Sequence, residues 1–169
     1  NDQLGDKIDY ILDGGATKVG LESTIIGFEE GKPIVYRLGG LSLDVIEHEF
    51  GLVDVSLNQS SNPKAPGMLK SHYAPTKPVY FGNPTVLLPK LEGDKIGFLG
   101  FMKPLNELPR ERQLLLSEKG NLQEAAVNLF AHLRAFEHID VDVIIAEELP
   151  NVDLGKAIND RLQRAAANS

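Results

Sequence analysis

Apolar and polar positions change their period along this chain, and each change marks an element. An early apolar run at residues 8–12 (IDYIL) predicts a strand, with no helix or strand before it to cover it. Two β-rich runs at 23–28 and 33–37 flank Glu29, Glu30, Gly31 and Lys32, a four-residue polar connection that predicts a hairpin. If Phe28 faces Pro33 across the turn, Ile26 lies opposite Val35 and Thr24 opposite Arg37. Ser23, Thr24 and Arg37 then gather at the hairpin's open end. A short helix follows, with Ser42 as N-cap, Leu43, Ile46 and Phe50 on one face, and Gly51 as the stop. Leu41 and Ile46 have the spacing of a hydrophobic staple.

Residues 56–64 (SLNQSSNPK) are small, polar and Pro-containing, which predicts a boundary. Beyond Pro75 strands alternate with helices. Short apolar runs at 79–81, 86–88 and 96–101 read as strands. A helix is expected from an Asn121 cap, with Glu124 three residues on and a stripe of Leu122, Ala126, Leu129, Leu133 and Phe136. A strand at 141–146 comes next. Asp153 is expected to cap a last helix running to about residue 167, with Leu154, Ile158, Leu162 and Ala165 on one face and Asp160, Arg161 and Arg164 on the other. The pattern predicts an α/β fold, a small sheet covered by helices.

Between the two units lies APGMLKSHYAP at 65–75, which has a linker's position and a site's side chains. A flexible tether is rich in Gly, Ser and charge, whereas Pro66 and Pro75 stiffen the chain around Met68, Lys70, His72 and Tyr73. Composition then narrows the function classes. The 169 residues, 42% hydrophobic and 24% charged, suit one domain or two small ones. No apolar run reaches the length of a membrane span and no signal-peptide pattern is present, so a cytoplasmic location is expected. The absence of cysteine excludes a disulfide framework, a thiolate zinc site and a cysteine nucleophile. A net charge of −7, with neither half basic, gives no support to a broad RNA surface; any RNA contact would be local.

The familiar nucleotide signatures fail. Gly15 to Gly20 has the glycine spacing of a P-loop, but Leu21 and Glu22 stand where the lysine and hydroxyl belong, and no G-x-G-x-x-G occurs. Turn formation is the simpler role for Asp13, Gly14 and Gly15. His48, His72, His132 and His138 make no i, i+4 pair, so no protein metal cage is expected. Arg37, beside two hydroxyls, suits forked recognition of a phosphate or carboxylate; a surface ion pair is the alternative.

DGG at 13–15, GLESTIIGF at 20–28, YRLGG at 36–40, APGMLKSHYAP at 65–75 and the closing LGKAINDRLQRAA at 154–166 together resemble the long-form threonylcarbamoyl-AMP synthase family. The resemblance implies that 1–57 are the C-terminal part of a YrdC-like catalytic domain, 58–77 a linker, and 78–169 a small Rossmann-like, three-layer α/β domain. It implies a nucleotidyltransferase reaction in which L-threonine, bicarbonate or CO2, and ATP give threonylcarbamoyl-AMP and pyrophosphate, for a threonylcarbamoyl transferase complex that modifies tRNA. By position, Ser23 and Thr24 would bind threonine, while Arg37 and either His72 or Tyr73 would bind ATP. Magnesium would come with ATP's phosphates, with no organic cofactor. The basic, ATP-binding first part of the catalytic domain is not in this sequence, so a C-terminal fragment, inactive alone, is expected. The alternative is a stand-alone module that binds a nucleotide, RNA or protein.

Overall fold

The computed structural model describes residues 5–15, 17–57 and 74–168. The hairpin forms from β1 (Ile25–Glu29) and β2 (Lys32–Arg37), and β3 (Asp54–Val55) adds parallel to β2. Its strands run one residue further into the connection than expected. Glu29 pairs with Lys32, leaving Glu30 (φ 50°) and Gly31 (φ 80°) as a two-residue turn with both residues left-handed. Phe28 faces Pro33 and Ile26 faces Val35, as the alternation predicts. An irregularity between Ile25 and Ile26 then puts Ile25, not Thr24, opposite Arg37.

In α1 (Leu43–Phe50) Ile46 is buried, and Gly51, at φ 77°, closes the helix by donating to the Glu47 carbonyl. The expected apolar face is only partly made: Phe50 and Leu41 are largely exposed, and the Ser42 side chain makes no capping bond. Residues 8–12 form no strand. Tyr10 and Leu12 are exposed, and among the described residues nothing pairs with this run, which a ladder requires.

The second sheet contains β4 (Val79–Gly82), β5 (Ile96–Gly100), β6 (Gln113–Leu115) and β7 (Val143–Glu147), all parallel, in the order β4-β7-β5-β6. Leu99, Ile144 and Ala146 face a core with Leu129 and Leu133 of α3 (Leu122–Ala135) and Ile158 and Leu162 of α4 (Leu154–Ala165). Phe98, Val143 and Ile145 face the opposite side, against Leu87, Leu88 and Leu91. The result is the expected three-layer α/β arrangement, and burial on both faces explains why β5 and β7 read as continuous apolar runs. The Asn121 cap holds: its Oδ1 accepts from the Glu124 N–H at 2.9 Å.

Three expectations give way here, and one strand, β6, was not foreseen. The run at 86–88 is no strand, because α2 (Pro84–Leu87) and a 3-10 turn (Leu88–Leu91) occupy it. Asn83 accepts from the Thr85 N–H at 2.9 Å and Pro84 starts the helix, so capping chemistry overrides the apolar pattern. β6 is short and begins at buried Gln113, whose amide bonds the Leu105 N–H and the carbonyls of Leu105 and Leu108. Lastly, the arginines expected on a solvated face of α4 are not solvated. Arg161 and Arg164 are 0% and 5% exposed, because Ala157 on this side packs with Val35, Leu38 and Ile46 of the first unit. Nor does Asp153 cap it; at φ 45° its side chain makes no cap bond, and its N–H donates to Asp44 Oδ2 at 2.8 Å. Lys156 reaches the other oxygen of Asp44 at 2.6 Å.

Among the described residues, no helix is long and apolar enough to cross a membrane. His132 of α3 has a buried Nδ1 with no hydrogen-bond partner among the described residues, and burial pushes its imidazole below the ordinary 6.5. The unfolded chain therefore binds this proton more readily than the folded one. The stabilising contribution is present above about pH 6.5 and is lost as pH falls below it. In urea titrations, His132→Leu should reduce the loss of stability between about pH 8 and about pH 5; an unchanged loss would show that other groups govern it.

Candidate functional site

The residues following the early glycine turn are fastened point by point. Gly15 N–H donates to Asp13 Oδ1 at 2.8 Å, as a turn predicts. The Lys18 carbonyl accepts from Gln123 of α3 at 3.0 Å. Gly20, at φ 75°, lies so close to α3 that a Cβ would sit 2.3 Å from the Ala126 carbonyl oxygen. Leu21 packs against both the sheet core and the hairpin core.

From Glu22 onward the segment is tied to the end of β2. Arg37 donates from Nε to the Ser23 carbonyl at 3.0 Å and from Nη2 to Ser23 Oγ at 3.1 Å. Thr24 Oγ1 donates to the Leu41 carbonyl at 2.6 Å and accepts from the Leu41 N–H at 3.2 Å. The Gly40 N–H donates to the Glu22 carbonyl at 2.8 Å. Ser23, Thr24 and Arg37 thus come together as the sequence predicts, although through these cross-ties and not through the expected register. An open cavity of about 400 Å³ lies here, with Val19, Leu21 and Leu41 as its apolar wall and Glu22, Ser23 and Thr24 as its polar one. Two hydroxyls beside an apolar wall suit a small molecule with both polar and aliphatic parts, and the Arg37 guanidinium adds positive charge nearby.

Glu22 and Arg161 were not among the residues the sequence singles out. Arg161 of α4 is fully buried and donates from Nε to Glu22 Oε2 at 3.1 Å, from Nη2 to the Leu38 carbonyl at 2.6 Å, and from Nη1 to Asp160 Oδ2 at 2.6 Å. Arg164 Nη2 meets Asp160 Oδ1 at 3.0 Å. The available signal was Ala157, four residues before Arg161 and apolar on the supposedly solvated face. His72 and Tyr73, with Met68 and Lys70, lie outside the described residues. His48 is exposed beside Glu49, and no group of three His, Asp or Glu among the described residues could hold a metal ion.

The family profile for the threonylcarbamoyl-AMP synthase C-terminal domain matches residues 38–167. The chain belongs to the threonylcarbamoyl-AMP synthase family. It is 32% identical over 173 residues to the threonylcarbamoyl-AMP synthase of Bacillus subtilis, covering 96% of this chain and 50% of that protein. A crystal structure of Pyrococcus abyssi Sua5 complexed with L-threonine superposes with a TM-score of 0.82 at 32% identity, over 98% of this chain and 51% of the other. A variant of that protein, with a neighbouring histidine and tyrosine changed to alanine, gives 0.75 over 91% and 47%. The chain spans about half the length of the curated synthases it matches.

Gly39 supplies a test of the cross-tied geometry. A Cβ there would lie 2.3 Å from the Glu22 carbonyl oxygen and 2.6 Å from the Thr24 nitrogen, so backbone would have to move. Gly39→Ala should cost about 1–3 kcal/mol in urea unfolding. A change under about 0.5 kcal/mol would mean that 22–24 separates freely from 38–40.

Proposed function

We propose that this chain forms the threonine-side wall and the C-terminal domain of an L-threonylcarbamoyladenylate synthase. The carrying observation is the Ser23, Thr24 and Arg37 constellation at a cavity of about 400 Å³. The protein complexed with L-threonine, similar over 98% of this chain, supports that ligand. In this reading 1–57 complete a YrdC-like catalytic domain whose first half lies in the part of the relatives that this chain does not span. Residues 58–77 form the linker and 78–169 the C-terminal domain.

Threonine would lie with its methyl toward Val19, Leu21 and Leu41 and its polar groups toward Ser23 and Thr24. Its amine attacks CO2, and the resulting carbamate oxygen attacks the α-phosphorus of ATP, expelling pyrophosphate. Arg37, with His72 or Tyr73 from the linker, would serve the nucleotide. Magnesium would enter on ATP's phosphates. This part of the site would act by positioning and charge. The setting is tRNA modification in the cytoplasm, with a threonylcarbamoyl transferase complex consuming the product.

A stand-alone nucleotide-binding module finds less support. The second sheet has a depression of about 390 Å³ where β4 and β7 end, the usual ligand position in such sheets. It is lined by Glu147 and Glu148 beside Asn83 and Thr85, and two carboxylates repel a polyphosphate.

The test is pyrophosphate release by this sequence joined to the amino-terminal half that the relatives carry. Release should require threonine, bicarbonate and ATP together, and Ser23→Ala should raise KM for threonine about tenfold, or about 1.4 kcal/mol. The 169-residue chain alone should release none. Release indifferent to threonine would overturn the reading, and near-full rates from the chain alone would remove its dependence on another half.

A further inference from the structure

We infer that Arg161, in the last helix, is a positioning residue for the substrate site, acting through Glu22 and Leu38. The inference rests on the threonine-site reading above. Glu22 immediately precedes Ser23, and Leu38 immediately follows Arg37, so Arg161 holds the neighbours of both residues whose mutual contact shapes the cavity. Its guanidinium bonds Glu22 Oε2 at 3.1 Å and the Leu38 carbonyl at 2.6 Å from a single rigid plane. The Gly40 N–H to Glu22 carbonyl bond at 2.8 Å closes the same tie on the backbone side.

Arg161 is itself immobilised. Its third branch meets Asp160 at 2.6 Å, it is 0% exposed, and Ile158 and Leu162 on either side of it are fully buried in the sheet core. The position of Ser23 is therefore referred, through Glu22, to the core of the parallel sheet 139 residues away in sequence. A lysine at 161 keeps the charge but has no planar fork to reach both partners.

Electrostatics gives the arrangement a second consequence. Glu22 lines the cavity that would take threonine's carboxylate, and Arg161 places a positive charge against the Glu22 carboxylate. Removing that charge leaves a carboxylate facing an anionic substrate group in partly desolvated surroundings, which weakens binding of that substrate in particular.

Another interface contact provides the control. Asp44 also joins the first unit to α4, through Lys156 Nζ at 2.6 Å and the Asp153 N–H at 2.8 Å, but it does not line the cavity. In the synthase of full length, with pyrophosphate release as readout, Arg161→Lys should raise KM for threonine about tenfold while kcat changes less than about twofold. Asp44→Asn should leave KM for threonine unchanged. Arg161→Met should raise KM further, and adding Glu22→Gln to it should recover part of the loss by removing the facing carboxylate. Should Arg161→Met fail to fold, Arg161→Lys and Asp44→Asn still decide the matter. Equal effects of Arg161→Lys and Asp44→Asn would overturn the inference by reducing Arg161 to general docking, as would a folded Arg161→Met, Glu22→Gln protein no better than Arg161→Met. Wild-type release that ignores threonine would overturn the underlying reading as well, whereas threonine-dependent release with an unshifted KM in Arg161→Lys would overturn this inference alone.

Discussion

A guanidinium with no access to water has to be surrounded by acceptors, and Arg161 imposes that requirement on the whole molecule. Desolvating such a charge costs several kcal/mol unless its donors are matched. Matching acceptors include Asp160 on its own helix, Glu22 before the hairpin, and the Leu38 carbonyl after it. Few relative positions of helix, hairpin and loop satisfy all of them together. A purely apolar contact between the same elements could slide by a few tenths of an ångström at little cost; this one loses hydrogen bonds to a buried charge.

The helix carrying Arg161 belongs to two cores, and this is why the first unit and the parallel sheet are packed as one. Ile158 and Leu162 fill the space above the sheet, while Ala157 packs with Val35, Leu38 and Ile46. The Asp44 contacts with Lys156 and the Asp153 N–H secure the start of the helix against α1. Apolar burial supplies most of the adhesion, and the polar contacts fix its register.

How far this was legible in the sequence follows from how local each cause is. The hairpin, the Asn121 cap and the continuous apolar strands are set by residues within a few positions of one another, and they read well, although the hairpin's turn is two residues long and not the expected four. The strand expected at 86–88 failed on a local signal given too little weight, since Asn83 and Pro84 begin a helix there. The strand expected at 8–12 failed because strands need partners that composition does not reveal. Arg161 and Arg164 read as solvated because Leu154, Ile158 and Leu162 already supplied an apolar face. Only the fold brings Val35, Leu38 and Ile46 to the opposite side. Within the site, alternation pointed to Ser23, Thr24 and Arg37, although side-chain cross-ties and not the expected register bring them together, whereas Glu22 and Arg161 share no local pattern. His72 and Tyr73 rest on the family resemblance, since they lie outside the described residues.

If this half of the site contributes to a synthase reaction, its contribution has to be geometric. A serine and a threonine hydroxyl and an arginine hold and orient a ligand, and the Glu22 carboxylate in the cavity wall is held by Arg161. A site of that kind gains rate by fixing its reactants, and misplacement of about 1 Å can cost two orders of magnitude. The accuracy of the Ser23 hydroxyl then becomes the important chemical property. That accuracy is not intrinsic to a segment with irregular backbone from 17 to 24; it is borrowed, through Glu22 and Leu38, from a helix seated on a close-packed sheet. On this view the C-terminal domain is part of the active site's construction, although its helix contributes no side chain to the cavity wall.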